Sequence, residues 1–205
     1  GSLMASMFVG QQYLQNVLAL STFEAGAVPL SITAGMLAVA GLSAKLVESR
    51  GSRFTLLSGF LFIMISFTLM LVVWTETTSI PVVVFTYLMA GIGVGLAGTP
   101  ASHSLTSSVP TDRAGMASAT ADLQRDLGGA ILQAILGALL TAGYAASFAS
   151  LVAQAPQRLS QYVLAQLQRS FSSATTLAEQ YPEYSNQIVE AAKQSFLTGA
   201  NWAYT

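Results

Sequence analysis

The sequence predicts an all-α integral membrane protein, a bundle of transmembrane helices, and three observations lead there. Only 8% of the 205 residues are charged and 53% are hydrophobic, against about 25% charged in an ordinary soluble domain, so the polar surface needed to solvate a globule is missing. The charges are also segregated: 25–44, 54–75, 77–111 and 127–157 hold no ionised side chain, and each matches or exceeds the ~20 residues that carry a helix across a bilayer core. Polar composition gathers instead in one block, 154–195.

The elements follow in order. The first span, about 1–20, is apolar from its start, with no basic leader and no charge before Glu24, so it reads as a span entered part-way and the chain as a fragment. The next spans are expected at 25–45 and 54–74, the second of these the least ambiguous. A fourth, 80–106, has Pro81 placed for a first helical turn and Pro100 placed to kink or end it. The fifth covers 114–145. An extracytoplasmic polar loop, 146–195, should hold amphipathic helices: Leu159, Val163, Leu167 and Phe171 have helical spacing, and Tyr181-Pro182 breaks them from a second helix near Ile188. The stretch 196–205 reads as the start of a last span, with Trp202 and Tyr204 as interface anchors.

Five crossings fix which loops share a side. Loops at 21–24 and 75–79 carry no Lys or Arg, whereas those at 45–53 and 107–113 carry Lys45, Arg50, Arg53 and Arg113. The positive-inside rule puts the second pair in the cytoplasm. Arg158, Arg169 and Lys193 then fall outside, on a long loop that also holds Glu179, Glu183 and Glu190.

Composition excludes several functions. A net charge of -1 supplies no basic stripe for nucleic acid. With no cysteine and a single histidine, His103, neither a thiolate nor a histidine metal site is expected. No nucleophile, phosphate cradle or cofactor motif emerges, so an enzyme is not expected. The one decoy is Gly93-x-Gly95-x-x-Gly98 after the strand-like Val82-Val83-Val84-Phe85. It would mark a soluble nucleotide-binding enzyme if it opened a helix in a βαβ unit.

Polar groups at membrane depth are costly, which makes them the candidate sites. Gln11 with Gln15 and Gln12 with Asn16 form two (i, i+4) amide pairs in the first span, offered either to neighbouring helices or to a substrate. Tyr13 either adds an aromatic wall or faces lipid, and His103 reads as an interfacial histidine rather than a proton relay. Asp122, Arg125 and Asp126 precede the charge-free run 127–157. Arg125 is spaced to meet Asp122, which leaves one carboxylate in excess. An inter-helix or gating salt bridge, a proton site and a solvated helix mouth all remain open. Small residues recur every fourth position at Gly91 and Gly95, and at Ala130, Ala134, Ala138 and Ala142, the spacing of close helix packing in lipid.

Three stretches carry a resemblance. The loop Ala44-Lys45-Leu46-Val47-Glu48-Ser49-Arg50-Gly51-Ser52-Arg53 resembles the signature loop of the major facilitator superfamily, with Glu48 at its acidic position and Gly51 and Arg53 kept. Gln12-Tyr13-Leu14-Gln15-Asn16 with Ala25-Gly26-Ala27-Val28-Pro29, and Val109-Pro110-Thr111-Asp112-Arg113-Ala114-Gly115 leading into Arg125-Asp126-Leu127-Gly128-Gly129, are similar to spans of the fourteen-span drug:proton antiporters of that superfamily. The resemblance implies the carboxy-terminal half of such a transporter. It would be a multi-pass protein of the plasma or inner membrane, exporting hydrophobic or cationic drugs against proton influx. Its partners would be a small-molecule substrate, protons, the lipid bilayer and a missing amino-terminal half. A non-transporting membrane subunit is the alternative.

Overall fold

The computed structural model describes residues 2–153 and 166–204. Among them every regular element is helical: α1 (Ser2–Gln12), running into a π-turn at Tyr13–Val17, then α2 (Thr22–Ala27), α3 (Leu30–Arg50), α4 (Ser52–Val73), α5 (Ile80–Ser107), α6 (Ala114–Ala153), α7 (Phe171–Gln180) and α8 (Ser185–Tyr204). Four stretches are long and apolar enough to cross a membrane: Thr22–Arg50, Ser52–Val73, Ile80–Leu105 and Ala114–Leu151. The chain divides into two compact units, one comprising Phe23–Trp74 and Thr78–Ala130, the other Ser2–Thr22, Thr75–Thr77 and Ile131–Thr205.

In the first unit α3, α4 and α5 pack almost backbone to backbone. A Cβ added at Gly35 would lie 2.5 Å from the Leu88 carbonyl oxygen, and one at Gly93 would lie 2.7 Å from that of Gly59. Gly91 abuts the Ile32 backbone and Gly95 that of Met36. Contacts that climb both chains together mean that α3 and α5 run parallel. The expected Gly91/Gly95 seam is therefore in use. The nucleotide reading fails here: Val82 to Phe85 are helical, and Gly93 and Gly95 lie inside α5, where they admit neighbouring helices.

Polarity along α4 is inverted relative to a soluble helix. Thr55 and Ser66 are buried while Leu57 (68% exposed) and Met64 (66%) face outward. This arrangement is stable only where the surroundings are as apolar as those side chains. The buried hydroxyls satisfy themselves on backbone carbonyls: Ser66 donates to Thr86 at 2.8 Å, and Thr55 to Gly51 at 3.1 Å. Trp74, at the end of α4, donates to the Thr86 hydroxyl at 3.2 Å.

Pro100 neither ends nor breaks α5, which continues to Ser107. Proline has no N–H, so the Leu96 carbonyl one turn back loses its helical donor. The Ser43 hydroxyl on α3 supplies the replacement at 3.1 Å, fully buried. By contrast, the chain turns at Val28-Pro29 between α2 and α3, where Ile32 N–H reaches only three residues back, to Pro29.

The second unit is built around α8 and the later part of α6. Gly143 and Gly199 bring these helices together: a Cβ at Gly143 would stand 2.7 Å from the Gly199 Cα. The buried face of α6 here is Leu140, Gly143, Tyr144 and Phe148, whereas Ala130, Ala134, Ala138 and Ala142 are exposed. The expected alanine seam is thus not the one that packs within this chain. A helical turn at 166–169 precedes Ser170, whose extended backbone (φ -168) stops it and caps α7 by accepting from Ser173 N–H at 3.2 Å. Leu167 and Phe171 consequently sit on different helices, both buried. Leu159 and Val163 lie outside the described residues. Tyr181 ends α7, and α8 starts at Ser185, upstream of the span start expected at 196.

Candidate functional site

The amide group lies where α1 changes its winding. Leu18 N–H bonds Tyr13 O at 3.2 Å, and Leu20 N–H bonds Leu14 O at 3.0 Å, longer steps than an α-helix makes. Ala19 then turns with φ 53, a conformation that non-glycine residues adopt at a cost of roughly 1–2 kcal/mol. Such π-turns are frequent at functional positions because the widened backbone re-aims side chains. Gln15 donates to Gln11 at 3.3 Å, while no hydrogen bond joins Gln12 to Asn16. Tyr13 is buried rather than lipid-facing, and its hydroxyl donates to Thr75 O at 2.6 Å. Gln12 faces a different environment, a half-open cavity of about 50 Å³ lined also by Leu140, Thr141, Tyr144, Arg169, Ser170, Phe171 and Phe196.

On α6, Arg125 forms an ion pair with Asp122, with side chains 63% and 55% exposed. Helical (i, i+3) spacing suffices to bring them together. Asp126 is exposed and outside the pair. At that exposure the pair contributes at most about 1 kcal/mol, so stability alone gives it little purpose.

The α3–α4 loop turns on Gly51, whose φ 87 and ψ 161 fall where only glycine is at ease. Its N–H caps α3 by donating to Val47 O at 3.0 Å, and its carbonyl accepts from Thr55. Glu48 and Arg53 project outward, and the Arg50 guanidinium stands 5.1 Å over the Phe54 ring. Within the first unit no hydrogen bond or ion pair among the described residues links this loop to Asp122, Arg125 or Asp126. His103 is exposed on α5. Among the described residues no three His, Cys, Asp or Glu side chains cluster to hold a metal.

Sequence reasoning overlooked the cavity at Gln12. Its one advance sign was polarity inside a long charge-free run, since Thr141 and Tyr144 are an (i, i+3) pair on one helix face.

Residues 1–133 match the Major Facilitator Superfamily. The chain is 32% identical over 157 residues to the Multidrug resistance protein Stp of Mycobacterium tuberculosis (strain ATCC 25618 / H37Rv), covering 76% of this chain and 29% of the relative. It is 27% identical over 199 residues to the Multidrug efflux pump LfrA of Mycolicibacterium smegmatis, covering 96% of this chain and 38% of the relative. It is also 29% identical over 148 residues to the Drug efflux pump JefA of Mycobacterium tuberculosis, covering 72% and 29%. The chain thus spans well under half the length of these relatives.

Proposed function

Because the chain belongs to the major facilitator superfamily, and so is a multi-pass membrane protein, we propose that it forms part of a secondary transporter that exports hydrophobic or cationic drugs against proton influx. The similarity to relatives named as multidrug efflux pumps carries this reading. The inverted polarity of α4 and the glycine-tight packing of α3, α4 and α5 support it. The site is the cell membrane, with the basic loops at 45–53 and 107–113 in the cytoplasm and five crossings of the bilayer. An amino-terminal half of the transporter supplies the opposite wall of the transport path, as pseudo-symmetric halves do in such folds.

In this reading Gln11, Gln12, Gln15 and Asn16 offer neutral amides to substrate from a π-widened turn. Asp122, Arg125 and Asp126 are the gating or proton-coupling group, Asp122 with Arg125 as a pair that opens and re-forms and Asp126 as the carboxylate outside it. Glu48, Gly51 and Arg53 shape the cytoplasmic turn between α3 and α4.

The test is ethidium uptake into inverted membrane vesicles, or ethidium efflux from efflux-deficient cells, producing the protein as its gene encodes it. Transport that collapses on adding a protonophore is expected. A protein that inserts correctly yet leaves ethidium accumulation at the empty-vector level would replace this reading with that of a non-transporting membrane subunit. A cysteine at Ser49 should react only from the cytoplasmic side and one at Ser172 only from outside; labelling of both from one side would overturn the topology.

A further inference from the structure

The cavity at Gln12 has a chemistry that efflux of cationic drugs does not use. The Tyr144 hydroxyl donates to Leu167 O at 3.1 Å, which ties the 166–169 turn to α6 and sets Arg169 at the cavity rim. Arg169 carries five N–H donors, yet among the described residues it has neither an ion pair nor a hydrogen bond. The Gln12 amide and the Ser170 hydroxyl share the lining with it, the Thr141 hydroxyl is spent on Gly137 O at 2.8 Å, and no carboxylate lines the space. The remaining wall is aromatic, with the Phe171 and Phe196 rings meeting edge-on at 6.3 Å. A permanent cation beside a neutral amide donor and an apolar wall favours an anion attached to an apolar body and disfavours a cation.

Size narrows the class. Pockets that enclose a drug-sized molecule run to about 300–1,000 Å³, whereas this one holds about 50 Å³. It admits one small anionic group, and being half-open it lets the rest of the molecule extend along the protein surface. A guanidinium matches phosphate oxygens two at a time.

We infer that the cavity binds the phosphate of an anionic phospholipid headgroup, with Arg169 on the phosphate oxygens, Gln12 as the flanking polar contact, and the glycerol and first acyl carbons against Phe171 and Phe196. The site is independent of the efflux reading, requiring only that the chain lie in a membrane.

Trp202 is the reporter, since its ring is within 3.2 Å of where a Gly143 Cβ would stand, next to Tyr144, and it is half-exposed. The full chain is placed in phosphatidylcholine vesicles containing a minor fraction of either brominated phosphatidylglycerol or brominated phosphatidylcholine, and tryptophan quenching is followed. Phosphatidylglycerol should quench preferentially, and Trp202→Phe should remove the preference, separating it from any signal of Trp74. Arg169→Gln should weaken the preference about tenfold, the scale of one charge-assisted contact, with Arg169→Lys retaining part. Gln12→Leu gives a second reading at the opposite wall, where a smaller loss is expected. Equal quenching by the two lipids, or a preference undiminished in Arg169→Gln, overturns the proposal. Equal quenching by the two lipids together with an Arg169-dependent change in Trp202 emission on adding inorganic phosphate would overturn the lipid source and leave a free-phosphate site.

Discussion

Replacing Gly91 by Ala tests the backbone packing directly, with Gly98→Ala in the same helix as its control. A Cβ at Gly91 would stand 2.8 Å from the Ile32 Cα and carbonyl carbon, whereas carbon atoms settle at about 3.5–4.0 Å. The α3 and α5 backbones must therefore part by roughly 1 Å. Overpacking of this kind costs about 1–3 kcal/mol. The separation also stretches the Ser43–Leu96 bond, now 3.1 Å, beyond useful length, which costs about 1 kcal/mol more. Better helix propensity returns about 1 kcal/mol, leaving a net loss of about 1–3 kcal/mol. At Gly98 a Cβ meets nothing within 4 Å, so only the propensity gain of up to about 1 kcal/mol applies. In detergent, thermal unfolding followed by circular dichroism should show Tm falling by roughly 2–12 °C for Gly91→Ala and rising by up to about 4 °C for Gly98→Ala. Shifts of the same sign would refute the close approach of α3 and α5.

Ser43→Ala should cost about 1–3 kcal/mol because the buried Leu96 carbonyl loses its replacement donor, and adding Pro100→Ala, which restores a helical N–H, should recover most of it in the same unfolding assay. Gly51→Ala should lower Tm although its Cβ meets no atom within 4 Å, since φ 87 alone costs about 1–3 kcal/mol; an unchanged Tm would show that the α3–α4 turn relaxes freely. Asp122→Asn should leave stability within about 1 kcal/mol while reducing ethidium efflux by the intact protein, and Asp122→Asn with Arg125→Gln should regain part of that efflux because no charge is left unpaired. Wild-type efflux in the single variant would remove Asp122 from gating and proton transfer alike.

The sequence made helix positions legible where charge or backbone chemistry punctuates it. Arg50, Gly51 and Arg53 bracket the α3–α4 turn, and Glu76 follows the end of α4 at Val73. Between 145 and 153 there is no glycine, proline or charge, and α6 simply continues through. Pro100 was legible as a defect but not as a repaired one, because the repair comes from Ser43 on another helix. Nor could period alone distinguish Ala130 to Ala142 from Gly91 and Gly95: only glycine lets a neighbouring carbonyl sit where Cβ would be, and that difference decided which stripe packs. Among the candidate sites, the Asp122–Arg125 pair follows from local spacing. The π-turn does not, since an extra residue in a turn leaves the pattern of amides unchanged, and the Gln12 cavity depends on a tertiary bond from Tyr144 to Leu167.

The glycine contacts among α3, α4 and α5 have a mechanical consequence. Long side chains between helices act as springs, because rotamer changes absorb small displacements before the backbones feel them. Where backbone meets backbone, as at Gly35 with Leu88, Gly59 with Gly93 and Gly91 with Ile32, there is almost nothing to compress. The three helices, locked to one another through α5, then move as one stiff unit. A displacement applied at the Arg50–Arg53 turn is delivered, nearly undiminished, to the Trp74 end.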